Sequence, residues 1–295
     1  MKKKIKAIIA VLLSFLLAMS FFVIIISLFL QHTILNIDFY QSVTQSPAYQ
    51  FHLKQSINNE LVTKSNFTAI PLEHLQAGLD EKLIDQIVEN HIKNTTAFLN
   101  YEPEFTPIVY PDEKFYEPLV QFIEEHGRTE NYEPTDEQYE LLADVASDSA
   151  RMIERHASII NLDLVKDISA FQRLHRAIHD ASLLFVPSLL AFLVAAGIIA
   201  LMFRRDWRST LTYTLTSLWI AGAMLAVPAI VTDIYALPRR LAIETPYLKY
   251  AIDAWLTSAN RYILIWGVAI LVLSTLGLTL SYFSQKHLKR KRKKR

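Results

Sequence analysis

Residues 7–30 read AIIAVLLSFLLAMSFFVIIISLFL, 24 positions without a charge. A helix crosses the ~30 Å hydrocarbon core of a bilayer with about 20 apolar residues. Backbone polar groups inside lipid must be satisfied within their own segment, so this run predicts a transmembrane helix. Three more uncharged stretches follow, 181–203, 209–231 and 262–283, with 23, 23 and 22 residues. The third span is the most polar, opening on Ser209-Thr210-Leu211-Thr212-Tyr213-Thr214 and carrying Pro228 near its far end. Omitting it would put the basic C-terminus on the opposite side from the basic N-terminus.

The charges around these spans set a topology. Basic residues are retained on the cytoplasmic side. Lys2, Lys3, Lys4 and Lys6 lie in the 1–6 segment, Arg204, Arg205 and Arg208 in the 204–208 turn, and eight more Lys and Arg in the 284–295 tail. With both termini cytoplasmic, these pieces hold 15 of the 30 basic residues and one of the 29 acidic ones, Asp206. The net charge is then +14 inside and −13 outside, hidden beneath an overall +1. Trp207, Trp266, Tyr262 and Tyr282 lie near span ends, where amphipathic rings favour the interface. Ala18-Met19-Ser20 imitates a signal cleavage site, but the apolar run continues ten residues beyond Ser20, past the usual ~7–15-residue signal core. The first span therefore reads as an uncleaved signal anchor.

The expected fold class is all-α: four transmembrane helices, plus a mainly helical extracytoplasmic domain at 31–180 and a smaller extracytoplasmic loop at 232–261. A segment of this size can build its own core. The chain has no cysteine. Exported domains in oxidising compartments usually recruit disulfides, so this points to a Gram-positive surface rather than a eukaryotic secretory route. On that reading Asn66-Phe67-Thr68 and Asn94-Thr95-Thr96 are chance sequons.

Within 31–180 the apolar spacing is helical. Phe51, Leu53, Ile57 and Leu61 predict a helix over 48–63. Leu72, Leu75, Leu79, Leu83, Ile84, Ile87, Val88 and Ile92 predict one continuous helix from Pro71, with Gly78 inside it. Pro103, Pro107 and Pro111 break 100–113. A short helix is expected over 117–125, with Pro118 in its first turn and Gly127 past its end. Thr135 and Gln138 have capping-box spacing. Behind them Leu141, Leu142, Val145, Met152, Ile153 and His156 share a face, with Ser149 as a small polar member. Residues 164–178 are expected to run unbroken into the second span. In the 232–261 loop, Leu248, Ala251, Ile252, Trp255 and Leu256 form one apolar face, predicting an amphipathic helix that lies on the outer leaflet or, the preferred reading, docks on the extracytoplasmic domain.

The 31–180 segment carries 25 acidic and 11 basic residues. A solvated outer surface explains this; a surface for cations or a cationic partner is the sharper alternative. Asp144-Val145-Ala146-Ser147-Asp148 lacks the donors and glycine of a calcium loop. No phosphate-binding glycine loop and no Gly-x-Ser-x-Gly elbow occurs. His175 and His179, four apart, have zinc-chelating spacing, but the zincin glutamate is missing and Arg173 and Arg176 oppose a cation. No catalytic residue, cofactor or metal site is assigned. The spans hold no Asp, Glu, Lys, Arg or His, which argues against transport by a single subunit. Ala196 with Ala200, and Gly222 with Ala226, have close-packing spacing, read as intrachain contacts. Lys289, Arg290, Lys291, Arg292, Lys293, Lys294 and Arg295 form an unbroken basic run six residues after a span. Anionic lipid headgroups are its expected partner, at about 1 kcal/mol per residue near such a surface, rather than nucleic acid.

Asp38-Phe39-Tyr40, Pro47-Ala48-Tyr49, Leu79-Asp80 and Asn94-Thr95-Thr96-Ala97-Phe98-Leu99, together with the span order, resemble a group of Gram-positive bacterial four-span membrane proteins with a helical extracytoplasmic domain. The span order also looks like a claudin, but the claudin cysteine pair and Trp-rich signature are missing. The expected function is a non-enzymatic integral membrane protein, a sensor, scaffold or accessory subunit with a protein partner at the bacterial envelope. The alternatives are an oligomeric transport or channel component, and an envelope enzyme with a metal at His175 and His179.

Overall fold

The computed structural model describes residues 2–103, 105–159 and 166–293, with residues 2–4 and 284–293 as backbone only. The fold is all-helical, with no strand among the described residues. In chain order the helices are α1 (Lys2–His32), α2 (Ile37–Thr44), α3 (Pro47–Thr68), α4 (Leu72–Ala77), α5 (Glu81–Leu99), α6 (Glu113–Glu130), α7 (Asp136–Ala157), α8 (Ser169–Leu183), α9 (Phe185–Met202), α10 (Trp207–Ile234) and α11 (Pro246–Lys293), with a 3₁₀ turn at Pro238–Arg240. Four helical segments are long and apolar enough to cross a membrane: Ile5–His32, Phe185–Met202, Trp207–Ile234 and Pro246–Phe283. The chain forms two compact units. The first comprises Met1–Leu35, Arg173–Leu241 and Leu256–Arg295; the second comprises Asn36–Gln172 and Ala242–Trp255.

In the first unit α1 packs on α9 and α10. Three pairings give the sense of the α1–α9 contact. Lys6 Nζ sits 4.6 Å from the Phe203 ring centre, Leu17 clusters with Ala195 and Ile199, and Ser27 donates to the Ala181 carbonyl at 2.7 Å. Low numbers meet high numbers, so the two helices are antiparallel. α10 and α11 are antiparallel too. Asn260 Nδ2 reaches the Ala229 carbonyl at 3.1 Å, Gly267 abuts Ala226, and Gly277 abuts Leu215. The N-terminus of α1, the Arg204–Arg208 turn and the C-terminal end of α11 therefore share one end of the bundle.

Small residues set the α10–α11 spacing. A Cβ at Gly267 would lie 2.7 Å from the Ala226 nitrogen, and one at Gly222 would lie 3.1 Å from the Gly267 carbonyl. The Gly222–Ala226 spacing thus serves a contact within the chain. Of the Ala196–Ala200 pair, half-buried Ala196 packs against the cluster of Leu17, Ala195 and Ile199, while Ala200 is exposed.

The second span differs at its entry from the unbroken helix expected. α8 ends at Leu183, Leu184 turns, and α9 starts at Phe185. The cause is Pro187. It has no N–H for the Leu183 carbonyl, and its ring crowds that carbonyl. Ending a helix here orphans its last carbonyls. Side chains of α1 answer two of them: Ser27 donates to Ala181, and Gln31 Nε2 to Ser182 at 2.8 Å.

The second unit is built on four helix stripes and one returning segment. Its core takes Tyr49, Leu53, Ile57 and Leu61 from α3, and Ile84, Ile87, Val88 and Ile92 from α5. Phe115, Leu119 and Ile123 come from α6, and Leu142, Ala146, Met152 and Ile153 from α7. Tyr247, Ala251 and Trp255, from the first ten residues of α11, complete it. The Trp255 indole meets the Tyr40 ring edge-on at 5.2 Å. Leu256 is exposed and lies outside this face.

Several local expectations shift. α3 runs Pro47–Thr68 rather than 48–63. Ser46 caps its start and a left-handed Ala69 (φ 57°) ends it. Its buried face follows Tyr49 at intervals of four, leaving Phe51 63% exposed. Leu141 is likewise 63% exposed, whereas Ser149 is fully buried. The helix expected from Pro71 through Ile92 is two helices. Asp80 accepts from the Leu83 N–H at 3.2 Å and so starts α5 afresh. Gly78 belongs to the break, because a Cβ there would meet the Phe115 ring at 2.4 Å. The buried Tyr110 hydroxyl satisfies both sides of the break. It donates to the Gly78 carbonyl at 2.6 Å and accepts from the Asp80 N–H at 2.8 Å. Helix α6 starts at Glu113, not 117, and carries Pro118 internally. It ends on left-handed Asn131 (φ 58°), not on Gly127. Gly127 lies inside the helix, at a point where a Cβ would press on the Tyr132 carbonyl at 2.7 Å. The capping box of Thr135 and Gln138 forms at the start of α7.

Candidate functional site

Three helices of the second unit surround a polar cleft of about 310 Å³. Each is started by a short polar cap. Asn36 accepts from the Asp38 N–H at 2.9 Å for α2, Ser46 from the Tyr49 N–H at 3.3 Å for α3, and Asp80 serves α5. Residues three and four apart share a helix face. α2 contributes Gln41 and Thr44, with Gln45 just past its end, α3 contributes Gln50 and Lys54, and α5 contributes Asp85, Val88 and Glu89. These three faces meet in the cleft.

Its charges are not equivalent. Lys54 Nζ is paired with Glu81 at 2.7 Å, and Glu89 with Lys93 at 2.7 Å. Asp85 has no ion pair among the described residues. The Gln50 side chain hydrogen-bonds its carboxylate, while the Gln50 Nε2 donates to the Thr44 carbonyl at 2.9 Å. Partial desolvation pushes the Asp85 carboxyl above its ordinary range, against the opposing pull of Lys54 and Gln50. The floor is Val88 and Thr44, both buried. The cleft thus presents one carboxylate without an ion pair, beside three primary amides.

A second polar cluster lies between α3 and α7. His156 Nε2 meets Glu60 Oε2 at 2.5 Å, and Arg155 approaches the other Glu60 oxygen at 3.6 Å. The His156 ring lies 5.6 Å from that of Tyr247. One turn along α3, Lys64 Nζ donates to Ser149 Oγ at 3.1 Å, and burial lowers its pKa against the pull of Asp148 and Glu60. The Tyr49 hydroxyl is buried with no hydrogen-bond partner among the described residues, and desolvation raises its pKa. This cluster ties helices together.

The residues singled out from sequence lie elsewhere. His175 and His179 occupy successive turns of α8, with His175 buried at 5% exposure. Among the described residues no three His, Asp or Glu side chains come together to hold a metal ion. Lys289, Arg290, Lys291, Arg292 and Lys293 continue the α11 backbone; their side chains, and Lys294 and Arg295 entirely, lie outside the described residues. Sequence reasoning missed Gln41, Gln45, Gln50 and Asp85. The signals available were the polar i, i+3, i+4 spacing of Gln41, Thr44 and Gln45 and the i, i+4 pair Asp85 and Glu89, patterns that also mark any solvated helix face. No family model, no curated protein and no solved structure matches the chain.

Proposed function

We propose that this chain is a non-enzymatic integral membrane protein of a bacterial envelope, with its acidic helical unit outside the membrane as a sensor, scaffold or accessory subunit. The observation that carries the reading is the register of the four-helix bundle. Antiparallel pairing gathers the N-terminal lysines, the Arg204–Arg208 turn and the C-terminal end of α11 at one end. Retention of basic residues makes that end cytoplasmic. Both termini are then inside, and Lys289 through Arg295 face anionic headgroups. The helical unit, with 25 of the 29 acidic residues falling in 31–180, is then outside. The polar cleft gives it a place to receive a small ligand, and α11 passes without a break from its core into the last apolar segment. The resemblance to Gram-positive four-span proteins fits the same arrangement.

The absence of cysteine makes the test direct. Single cysteines replace Glu133, exposed in the second unit, or Arg205 in the short turn. A membrane-impermeant maleimide added to intact cells is expected to label Glu133→Cys and not Arg205→Cys. The opposite pattern sinks the topology. Purification in mild detergent then tests the accessory role: a stoichiometric second protein is expected, and a homo-oligomer alone overturns it.

A further inference from the structure

We infer that the cleft formed by α2, α3 and α5 binds a small primary amine bearing hydroxyl groups, of which an unacetylated amino sugar is the fitting class. The inference rests on the reading of the helical unit as a sensor domain and names what it would sense.

Among the lining charges, Lys54 and Glu89 are already paired at 2.7 Å, with Glu81 and Lys93. Asp85 is hydrogen-bonded by the Gln50 amide and has no ion pair among the described residues, feeling Lys54 only through its longer-range pull. A ligand ammonium supplies the missing charge, through a charge-assisted hydrogen bond of the stronger kind. A ligand carboxylate finds no free cation in the lining, so amino acids are disfavoured. The groups around Asp85 suit hydroxyls. Gln41 and Gln45 each offer an acceptor and two donors, so they meet a hydroxyl in either sense, while Gln50, whose amide N–H groups serve Thr44 and Asp85, offers its carbonyl oxygen. The buried Val88 and Thr44 floor matches the less polar face of a sugar ring. A volume of about 310 Å³ is at the small end of ligand sites, room for one monosaccharide-sized molecule. The acidic surroundings raise the local concentration of cations and repel anions.

The test is calorimetric titration of the full-length protein in detergent with glucosamine and, separately, N-acetylglucosamine. The second keeps the ring hydroxyls and loses the charge. Glucosamine is expected to bind, N-acetylglucosamine at least tenfold more weakly, and Asp85→Asn to weaken glucosamine at least tenfold. Glu125→Gln, on α6 and away from the cleft, is expected to bind as the parent does. No glucosamine binding, equal binding of the acetylated sugar, or an unaffected Asp85→Asn each overturns the inference. Should Asp85→Asn fail to fold, Gln45→Leu decides, with at least a threefold loss expected and no loss overturning it. The measurement does not depend on sidedness. A binding cleft with inverted cysteine labelling fails the topology alone, and correct labelling without binding fails the ligand alone.

Discussion

The two units solve the problem of backbone polar groups in opposite ways. In the second unit, helix ends are handled by caps that water can also serve: Asn36, Ser46, Asp80 and the Thr135–Gln138 box. In the first unit, an interrupted helix leaves carbonyls among apolar surroundings that cannot satisfy them. Polar side chains of other helices reach them: Ser27 and Gln31 serve the end of α8, and Asn260 adds a donor to Ala229. Core construction differs as well. The second unit fills its interior with Leu, Ile and aromatic rings. In the first, the α10–α11 contact is made by removing side chains, at Gly222, Ala226 and Gly267. Burial of apolar surface drives the one; close van der Waals approach drives the other, because lipid tails are as apolar as leucine.

This contrast breaks most visibly at Trp255. Trp255→Asp removes a large ring from the second-unit core and puts a charge in its place. Truncating such a ring costs about 3–5 kcal/mol before the charge is counted. The second unit is expected to lose protease resistance while the helices of the first stay inserted. Unchanged resistance would mean that the returning segment adds nothing to that core. Next in size is Gly267→Ala. Its Cβ would stand 2.7 Å from the Ala226 backbone nitrogen. Overpacking of this kind costs about 1–3 kcal/mol. Thermal unfolding in detergent is expected to shift for the first unit, with the protease-resistant second unit unaltered. A shift in both units would show that they are not energetically separate.

The smallest effect is a pH dependence at Asp80. The Leu83 N–H, then Lys114, hold its carboxyl below the ordinary range. A depressed folded value means that the unfolded chain takes up the proton first as pH falls. The stabilisation is therefore present in full above the unfolded Asp value, about 3.9, and is lost as pH drops through the lower folded value. Asp80→Asn keeps a cap acceptor and cannot titrate. The unfolding gap between parent and variant is expected to narrow from pH 5 to pH 3. A gap independent of pH would remove Asp80 from the acid response.

Much of this was legible in the chain because the signals were local. Uncharged runs mark the four apolar helices, and spacing finds most of the buried faces of α5 and α7. Breaks were harder to read. Leu75, Leu79 and Leu83 keep helical spacing across Gly78 and Asp80, so periodicity runs through a gap that only Tyr110, thirty residues later, makes tolerable. Pro187 was hidden in a long apolar run. Phe51 fits a stripe by residue type, yet the packed face follows Tyr49 instead. The cleft was illegible for a different reason. Gln41, Gln50 and Asp85 carry no mutual spacing, and only the packing of three capped helices brings them together.

The second unit is discontinuous: 69 residues separate Gln172 from Ala242. A ribosome adding about 5–20 residues per second leaves that core open for several seconds after residue 172 has been made. During this interval the surfaces destined for Tyr247, Ala251 and Trp255 stand unfilled. The helical unit cannot mature until three of the four apolar helices of the first unit have been synthesised. Chains stalled or truncated before residue 242 would display an incomplete apolar core, a mark by which quality-control proteases can distinguish unfinished copies from finished ones.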